Sequence, residues 1–557
     1  MNFKTSSPWT AKIKPMEHVN QIISKREKEN IMKKLKKLFA VMLSLIMVLA
    51  MGITSFAATT PTAADTATAT VQNVEQTATV TAYKITKANY DGGFTGYSAV
   101  QGVTLTDVLA PTPDEVTTIA KNNTLLATLD SVTMTAGTAD ANGLASFTAN
   151  LTAGYWVVIV NGNVKEVYNP MLLGVYYKES GSSNVMESKP LNANSDWKLA
   201  GQTVYAKSTE PYINKEVVGG DGINNKQNDV AIGDTVSYKI TTVIPSYSKQ
   251  YDTVTVKITD TLSNGLDLNA DSIKINGAAV DTSEVKGTLT PSEHGFTFNV
   301  DSAYALANGS KQITIEYTAT LNENAVVNFD PNTNKAELEY TNKPNGVTEK
   351  TESETYTYTF SIGAALSASI QNFSQKVNQI VKVDANGKVL STKTEASDVI
   401  PDGAIEVKSG ATFTLTNNKT NKVYTATTGL DGGLTFDGLD AGTYTLVETV
   451  APDGFTLDTT AHTVVISPKY GETSNKLEKL EITIDGQATS TYEVSYEATG
   501  TVTVKTNTTA VTNIKNTKIS SLPSTGGIGT TIFTIVGCGI MIAAAGLFFA
   551  SRRKENR

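Results

Sequence analysis

Apolar and polar positions alternate in short runs along most of this chain. Val254, Val256, Ile258 and Asp260 share one parity, as do Asn334, Ala336, Leu338 and Tyr340, and again Tyr444, Leu446 and Glu448. Period-2 patterning of this kind predicts strands with one buried face. The runs are broken by turn dipeptides, Asp91-Gly92, Asn142-Gly143, Asn276-Gly277, Asp402-Gly403 and Asp431-Gly432, which suit tight reversals between strands. The expectation is an all-β fold of tandem sandwiches. Shifts in composition divide it into blocks at 58–208, 209–361 and 374–518, with joints near Pro211 and between Ser361 and Ser369. The Thr/Ala-rich start, Ala58–Thr70, reads as a flexible leader.

In three places a polar side chain takes an inward position. Alternation carries Glu448 onto the face of Tyr444 and Leu446, Asp260 onto the end of the Val254–Ile258 face, and Lys215 between Ile213 and Val217. Burying any of these alone costs several kcal/mol, roughly 2–7 for a polar group and more for a charge, so mutual satisfaction is the economical expectation. A carboxyl taken into a core is expected to hold its proton, and a lysine amine to lose one.

The ends read differently. Met32-Lys33-Lys34-Leu35-Lys36-Lys37, the apolar run Leu38–Ala50 and Ser55-Phe56-Ala57 form a signal peptide with cleavage expected before Ala58. Residues 1–31 lie upstream of it and Met32 reads as the start, so 1–57 is taken as extension plus signal peptide. At the other end, Leu522-Pro523-Ser524-Thr525-Gly526 precedes an uncharged stretch, Ile532–Ala550, and then Arg552-Arg553-Lys554. That stretch is expected to span a membrane with its basic end in the cytoplasm.

Charge and cysteine usage narrow the function. Residues 58–521 hold 32 Lys and Arg against 50 Asp and Glu, which argues against nucleic acid as a partner. The single cysteine, Cys538, lies in the C-terminal apolar stretch, so the exported part has no disulfide. Its two histidines, His294 and His462, come with no clustered metal ligands in sequence and no phosphate-binding loop. No metal, no cofactor and no conventional enzyme activity is expected.

The C-terminal arrangement of residues 522–557 resembles the cell-wall sorting signal of Gram-positive surface proteins. The resemblance implies that a sortase cleaves between Thr525 and Gly526 and passes the Thr525 acyl group to an amine. Tyr444–Phe455 resembles the E-box of pilin and collagen-adhesin B-type (Cna-B-like) domains. It implies an intramolecular isopeptide bond promoted by Glu448. Ile380–Gly387 is similar to that family's opening strand and nominates Lys382. The closing strand Ile514–Lys518 nominates Asn516, with Asn513 left open as the alternative. The block containing Tyr212–Val217, Ile232–Tyr238 and Ile244-Pro245 resembles the isopeptide-forming middle domain of major pilins (Cna-A-like), which implies a Lys215–Asn334 bond with Asp260 as its acid. Asp196-Trp197 and Val204-Tyr205-Ala206-Lys207-Ser208 are similar to the pilin motif whose lysine accepts the sortase acyl group, although Ala206 stands for the usual Pro and Ser208 for Asn. The strand Ala153–Val160 looks like an E-box strand but has Ile159 or Val160 where the glutamate would be, so no such bond is expected in the first block.

Together these resemblances imply immunoglobulin-like sandwiches in a major pilin, secreted, anchored to peptidoglycan and joined Thr525 to Lys207. Its partners would be a pilin-class sortase, the housekeeping sortase, other copies of itself and ancillary pilins. A monomeric wall-anchored adhesin, binding host matrix protein or glycan, is the alternative.

Overall fold

The computed structural model describes residues 60–179, 186–220, 225–344, 346–363, 380–486, 488–497, 501–508, 511–519 and 528–555. The signal peptide (1–57), the sorting pentapeptide Leu522–Gly526 and most of the Ser361–Ser369 joint lie outside the described residues.

Three sandwich bodies follow one another along the chain. In the first, a four-stranded sheet centred on Thr66–Glu75 and Leu144–Thr152 packs against a five-stranded sheet centred on Gly154–Gly162. Val71, Phe147, Trp156 and Val158 fill the space between them. The end of the Thr/Ala-rich leader is therefore structured. Thr66–Thr70 is strand, antiparallel to Thr148–Thr152, because Ala69 and Val71 enter this core. A helix, Pro113–Lys121, opens with a capping box in which Thr112 and Glu115 satisfy each other's backbone amides.

The middle body pairs a five-stranded sheet with a six-stranded one. The first has the order Ile213–Val217, Thr235–Val243, Gln312–Leu321, Leu266–Ile275, Ala278–Ala279. The second contains Val347–Tyr358, Asn332–Lys343, Val256–Leu262 and Gly295–Val300 as its four inner neighbours. Alternation is strict where the sequence predicts it: residues 332, 334, 336, 338 and 340 are buried and those between them less so. Asn276 and Gly277 both have positive φ (50° and 78°), the backbone that a two-residue hairpin of this twist requires.

The third body is built on a seven-stranded sheet in which Thr412–Asn417, Gly442–Val450 and His462–Tyr470 are consecutive neighbours. Against it lies a small sheet where Ile380–Asp384 runs parallel to Thr512–Asn516. Phe360–Ile362, just past the long final strand of the middle body, pairs with Phe436–Leu439 and joins the third core. The chain thus crosses between bodies inside continuous β-structure. The joint is further held by the Asp229 carboxylate, which accepts from Ala441 N at 2.8 Å and from the Tyr470 hydroxyl at 2.9 Å.

A C-terminal helix runs Ile528–Glu555. No helix among the described residues is long and apolar enough to cross a membrane. The expected span Ile532–Ala550 lies within this helix, with side chains described for all but its last two residues.

Candidate functional site

Two clusters of buried lysine, acid and asparagine occupy the middle and third cores. In the middle body Lys215 enters from the edge strand of one sheet, while Asp260 and Asn334 come from adjacent strands of the other, with Leu262 opposite Asn334. All three are buried, Lys215 and Asn334 completely. The Lys215 ammonium donates to Asp260 Oδ2 and to the Tyr317 hydroxyl. Tyr317 in turn donates to Asp260 Oδ1 at 2.7 Å, and Asn334 Nδ2 donates to the Tyr317 oxygen at 3.0 Å. Burial pushes the Lys215 amine down to about 8, the Asp260 carboxylate partly opposing it, and burial likewise pushes the Asp260 carboxyl up. The Tyr238 and Tyr317 rings stack at 5.4 Å and present their faces to the amine at 5.0 and 4.9 Å. Gly295 faces the backbone of Asp260 so closely that a Cβ would sit 2.1 Å from its carbonyl oxygen, at a φ of 145°.

In the third body Lys382 and Asn516 sit on the two parallel neighbours of the small sheet, where Lys382 is opposite Ile514 and Asp384 opposite Asn516. Glu448 faces them from the large sheet, on the buried parity with Tyr444 and Leu446. Asn516 Nδ2 donates to both Glu448 oxygens, at 3.0 and 3.1 Å. Lys382 Nζ lies 3.2 Å from Glu448 Oε1 but off the hydrogen-bonding direction, so it has no hydrogen-bond partner. Its pKa is lowered by burial, and the Phe413 ring lies 5.2 Å beneath it. The backbone of Lys382 is fixed by its N–H donating to Gly432 O at 2.8 Å, in the Asp431-Gly432 turn. In both clusters the carboxamide oxygen, Asn334 Oδ1 or Asn516 Oδ1, has no hydrogen-bond partner. Asn513 is exposed and faces away from Glu448's side of the strand, whereas Asn516 is buried.

Lys207 is placed elsewhere. It is exposed, between Thr203–Tyr205, which runs parallel to Thr66–Glu75, and Ser208–Thr209, which pairs with Val167–Tyr168. Its carbonyl accepts from Asn169 N at 3.1 Å, and Ala206 N donates to Gln72 O at 2.9 Å. A strand-like backbone is thus held on both sides while the side chain projects at the joint between the first and middle bodies. Trp197 is not beside it; it packs edge-on against Tyr177 at 5.1 Å.

Sequence reasoning passed over Tyr317, Tyr238 and Gly295. The signal for Tyr317 was present: it shares the inward parity of Ile313, Ile315 and Ala319, and an inward hydroxyl needs a partner. Sequence also showed no clustered metal ligands, yet folding brings Asp267, Glu293 and His294 within 4.8 Å of one another. Glu293 is exposed and the other two partly so, with His294 Nδ1 engaged by the Leu266 carbonyl at 3.0 Å and Asp267 by Asn322 at 2.7 Å.

Comparison with known proteins matches this architecture segment by segment. A T6-antigen Ig-like domain model matches residues 64–208, and a Gram-positive pilin backbone subunit 2, Cna-B-like domain matches 232–344. A prealbumin-like fold domain matches 406–481, and an LPXTG cell wall anchor motif matches 514–557. The middle block, read above as Cna-A-like, thus matches a model described as Cna-B-like. The trypsin-resistant surface T6 protein of Streptococcus pyogenes serotype M6 is 29% identical over 92% of this chain and 99% of its own length. The chain is a homologue of the backbone pilins. The solved T6 backbone pilin of the same serotype, of modular three-domain structure, superposes with a TM-score of 0.55 at 24% identity, covering 83% of this chain and all of that one. This backbone-pilin homologue is a structural, cell-wall-anchored surface protein.

Proposed function

We propose that this chain is the repeating subunit of a covalent surface fibre, the Thr525 acyl group of one copy being joined by a pilin-class sortase to the Lys207 amine of the next. The last copy would pass to peptidoglycan through the housekeeping sortase, and ancillary pilins would decorate the fibre. Each of the two bodies between Lys207 and Thr525 would close one intramolecular isopeptide bond, Lys215–Asn334 and Lys382–Asn516. The observation that carries this reading is the pair of buried lysine–acid–asparagine clusters, one in each body on the path between the two proposed attachment points.

The chemistry needs only the groups present. A buried amine with a lowered pKa is a nucleophile, and an adjacent acid can exchange protons with the carboxamide as ammonia leaves. Packing in the folded core supplies the orientation. The Lys382 amine, ion-paired with Glu448 but without a hydrogen bond, and the two carboxamide oxygens without one are costly in the uncross-linked state, so reaction would relieve an arrangement that is poorly satisfied beforehand. Lys207 remains outside, exposed on a backbone whose position is fixed.

Immunoblotting of wall extracts tests the assembly step. A wild-type ladder of high-mass, SDS-resistant species should collapse to an anchored monomer in Lys207→Ala, because anchoring needs the threonine but not the acceptor lysine. A ladder that persists in Lys207→Ala would place the acceptor on another residue.

A further inference from the structure

The two clusters are not chemically equivalent. In the third body Glu448 lies against both reacting nitrogens, 3.2 Å from Lys382 Nζ and 3.0 Å from Asn516 Nδ2. In the middle body Asp260 contacts Lys215, but among the described hydrogen bonds it makes none to Asn334. The group that touches both nitrogens there is the Tyr317 hydroxyl, which accepts from Lys215 Nζ and, at 3.0 Å, from Asn334 Nδ2, while donating to Asp260. Tyr317 is buried, its ring fixed between Tyr238, stacked at 5.4 Å, and Phe296, edge-on at 5.1 Å. Among the described residues no hydroxyl bonds the lysine of the third body; the Phe413 ring lies under it instead.

We infer that Tyr317 is a catalytic residue of Lys215–Asn334 bond formation, carrying a proton from the attacking to the departing nitrogen. The inference rests on the isopeptide reading above. The ammonium first yields a proton to Asp260 Oδ2, leaving a neutral amine and a neutral acid. The Nζ lone pair adds to Asn334 Cγ and the carbonyl electron pair moves onto Oδ1. As that pair returns, the Cγ–Nδ2 bond breaks. Nδ2 needs one proton to leave as ammonia, and Nζ has one to lose. The Tyr317 hydroxyl gives its own proton to Nδ2 and takes the one from Nζ, so it ends as it began. Asp260 returns its proton to no reacting atom and remains the neutral acid of the product, within reach of the Tyr317 oxygen. The sum is one amide formed, one ammonia released and one proton moved by the phenol.

The test uses the full-length chain, digested at intervals after a synthesis pulse, with the cross-linked peptide containing Lys215 and Asn334 quantified by mass. The Lys382–Asn516 peptide from the same molecules is the internal reference. Tyr317→Phe keeps the stacked ring and should slow the middle bond by roughly 10²-fold, the lower range for a lost general acid–base group, while the reference peptide keeps its rate. Formation at the wild-type rate in Tyr317→Phe overturns the inference. Fluorinated tyrosines placed at 317 preserve the hydroxyl contacts and grade its acidity. A rate that follows phenol acidity supports proton transfer, and a rate that ignores it overturns the inference even if Tyr317→Phe is slow for packing reasons. Wild-type protein that lacks the Lys215–Asn334 peptide altogether overturns the reading beneath, a result distinguishable from an unaffected variant.

Discussion

The middle and third bodies place the same three residue types in opposite partitions. In the middle body the lysine stands on one sheet and the acid and asparagine on the other, so a bond would pin the two faces of the sandwich together. In the third body lysine and asparagine are neighbours within one parallel pair and the acid reaches across the core, so a bond would weld the first strand of the sheet to its last. The first bond would resist separation of layers. The second would resist sliding of two strands that tension at the termini would shear. What is common is the requirement for a dry pocket where an amine and a carboxyl are costly as ions. What would differ is the group that touches both reacting nitrogens: Glu448 in one, the Tyr317 hydroxyl in the other.

The largest effect that would break this comparison concerns the acids. Intact-mass measurement of the exported protein should give a value below the sequence mass by two ammonia molecules, and Glu448→Ala or Asp260→Ala should each restore one. Each variant should also lose about 5 kcal/mol of unfolding free energy, by analogy with a cross-link closing a loop of roughly a hundred residues. A wild-type mass equal to the sequence mass would remove both bonds at once and leave the anchor argument intact. A variant that restores none would show that its acid is dispensable, and one that restores both would show that the sites are not independent.

A smaller effect sharpens the electrostatic side. In Asn334→Ala the middle bond cannot form and Lys215 stays a free buried amine. Its folded pKa, about 8, lies below the unfolded value of 10.5. Between those values the unfolded chain binds the extra proton, so stability rises with pH from about 8 upward and is flat for this group below it. One proton sets an upper slope of about 1.4 kcal/mol per pH unit. The tyrosines act in the opposite sense, since burial raises Tyr238 and Tyr317 above 10.0; their contribution is lost as pH rises past 10, which closes the window. Chemical denaturation of Asn334→Ala across pH 7 to 10 reads the slope, and a fall in stability over that range contradicts the buried neutral amine.

Much of this was legible in sequence because a strand's two-residue period ties parity to burial. Parity alone placed Asp260, Asn334 and Glu448 inward, and their inward facing is what the structure has. Parity could not say which sheet each strand would join, so the opposite partition of the two clusters was invisible. It also left out contacts made through a third strand. Tyr317 meets Asp260 only because Gln312–Leu321 and Val256–Leu262 lie on facing sheets, a relation set by the whole topology. The end of the Ala58–Thr70 leader, Thr66–Thr70, is strand for a related reason: composition there is weakly apolar, but Ala69 and the Val71 that follows suffice once the Leu144–Thr152 strand provides a partner.

The smallest expected effect is none at all, and it decides which asparagine closes the third bond. Both Asn513 and Asn516 lie on the strand that runs parallel to Ile380–Asp384, but three positions apart they take opposite parity. Asn516 shares the inward face with Ile514 and donates to both oxygens of Glu448; Asn513 is exposed. A carboxamide in water can neither be held against the Lys382 amine nor activated by a carboxyl on the far side of the sheet. Asn513→Ala should therefore leave the intact mass, apart from the substitution itself, still short by two ammonia molecules, with unfolding shifted by no more than about 0.5 kcal/mol, as for an ordinary surface change. Asn516→Ala should be short by only one. If instead Asn513→Ala loses the bond and Asn516→Ala keeps it, the register of the closing strand is wrong by an odd number of residues, and with it the claim that the third body welds its first strand to its last.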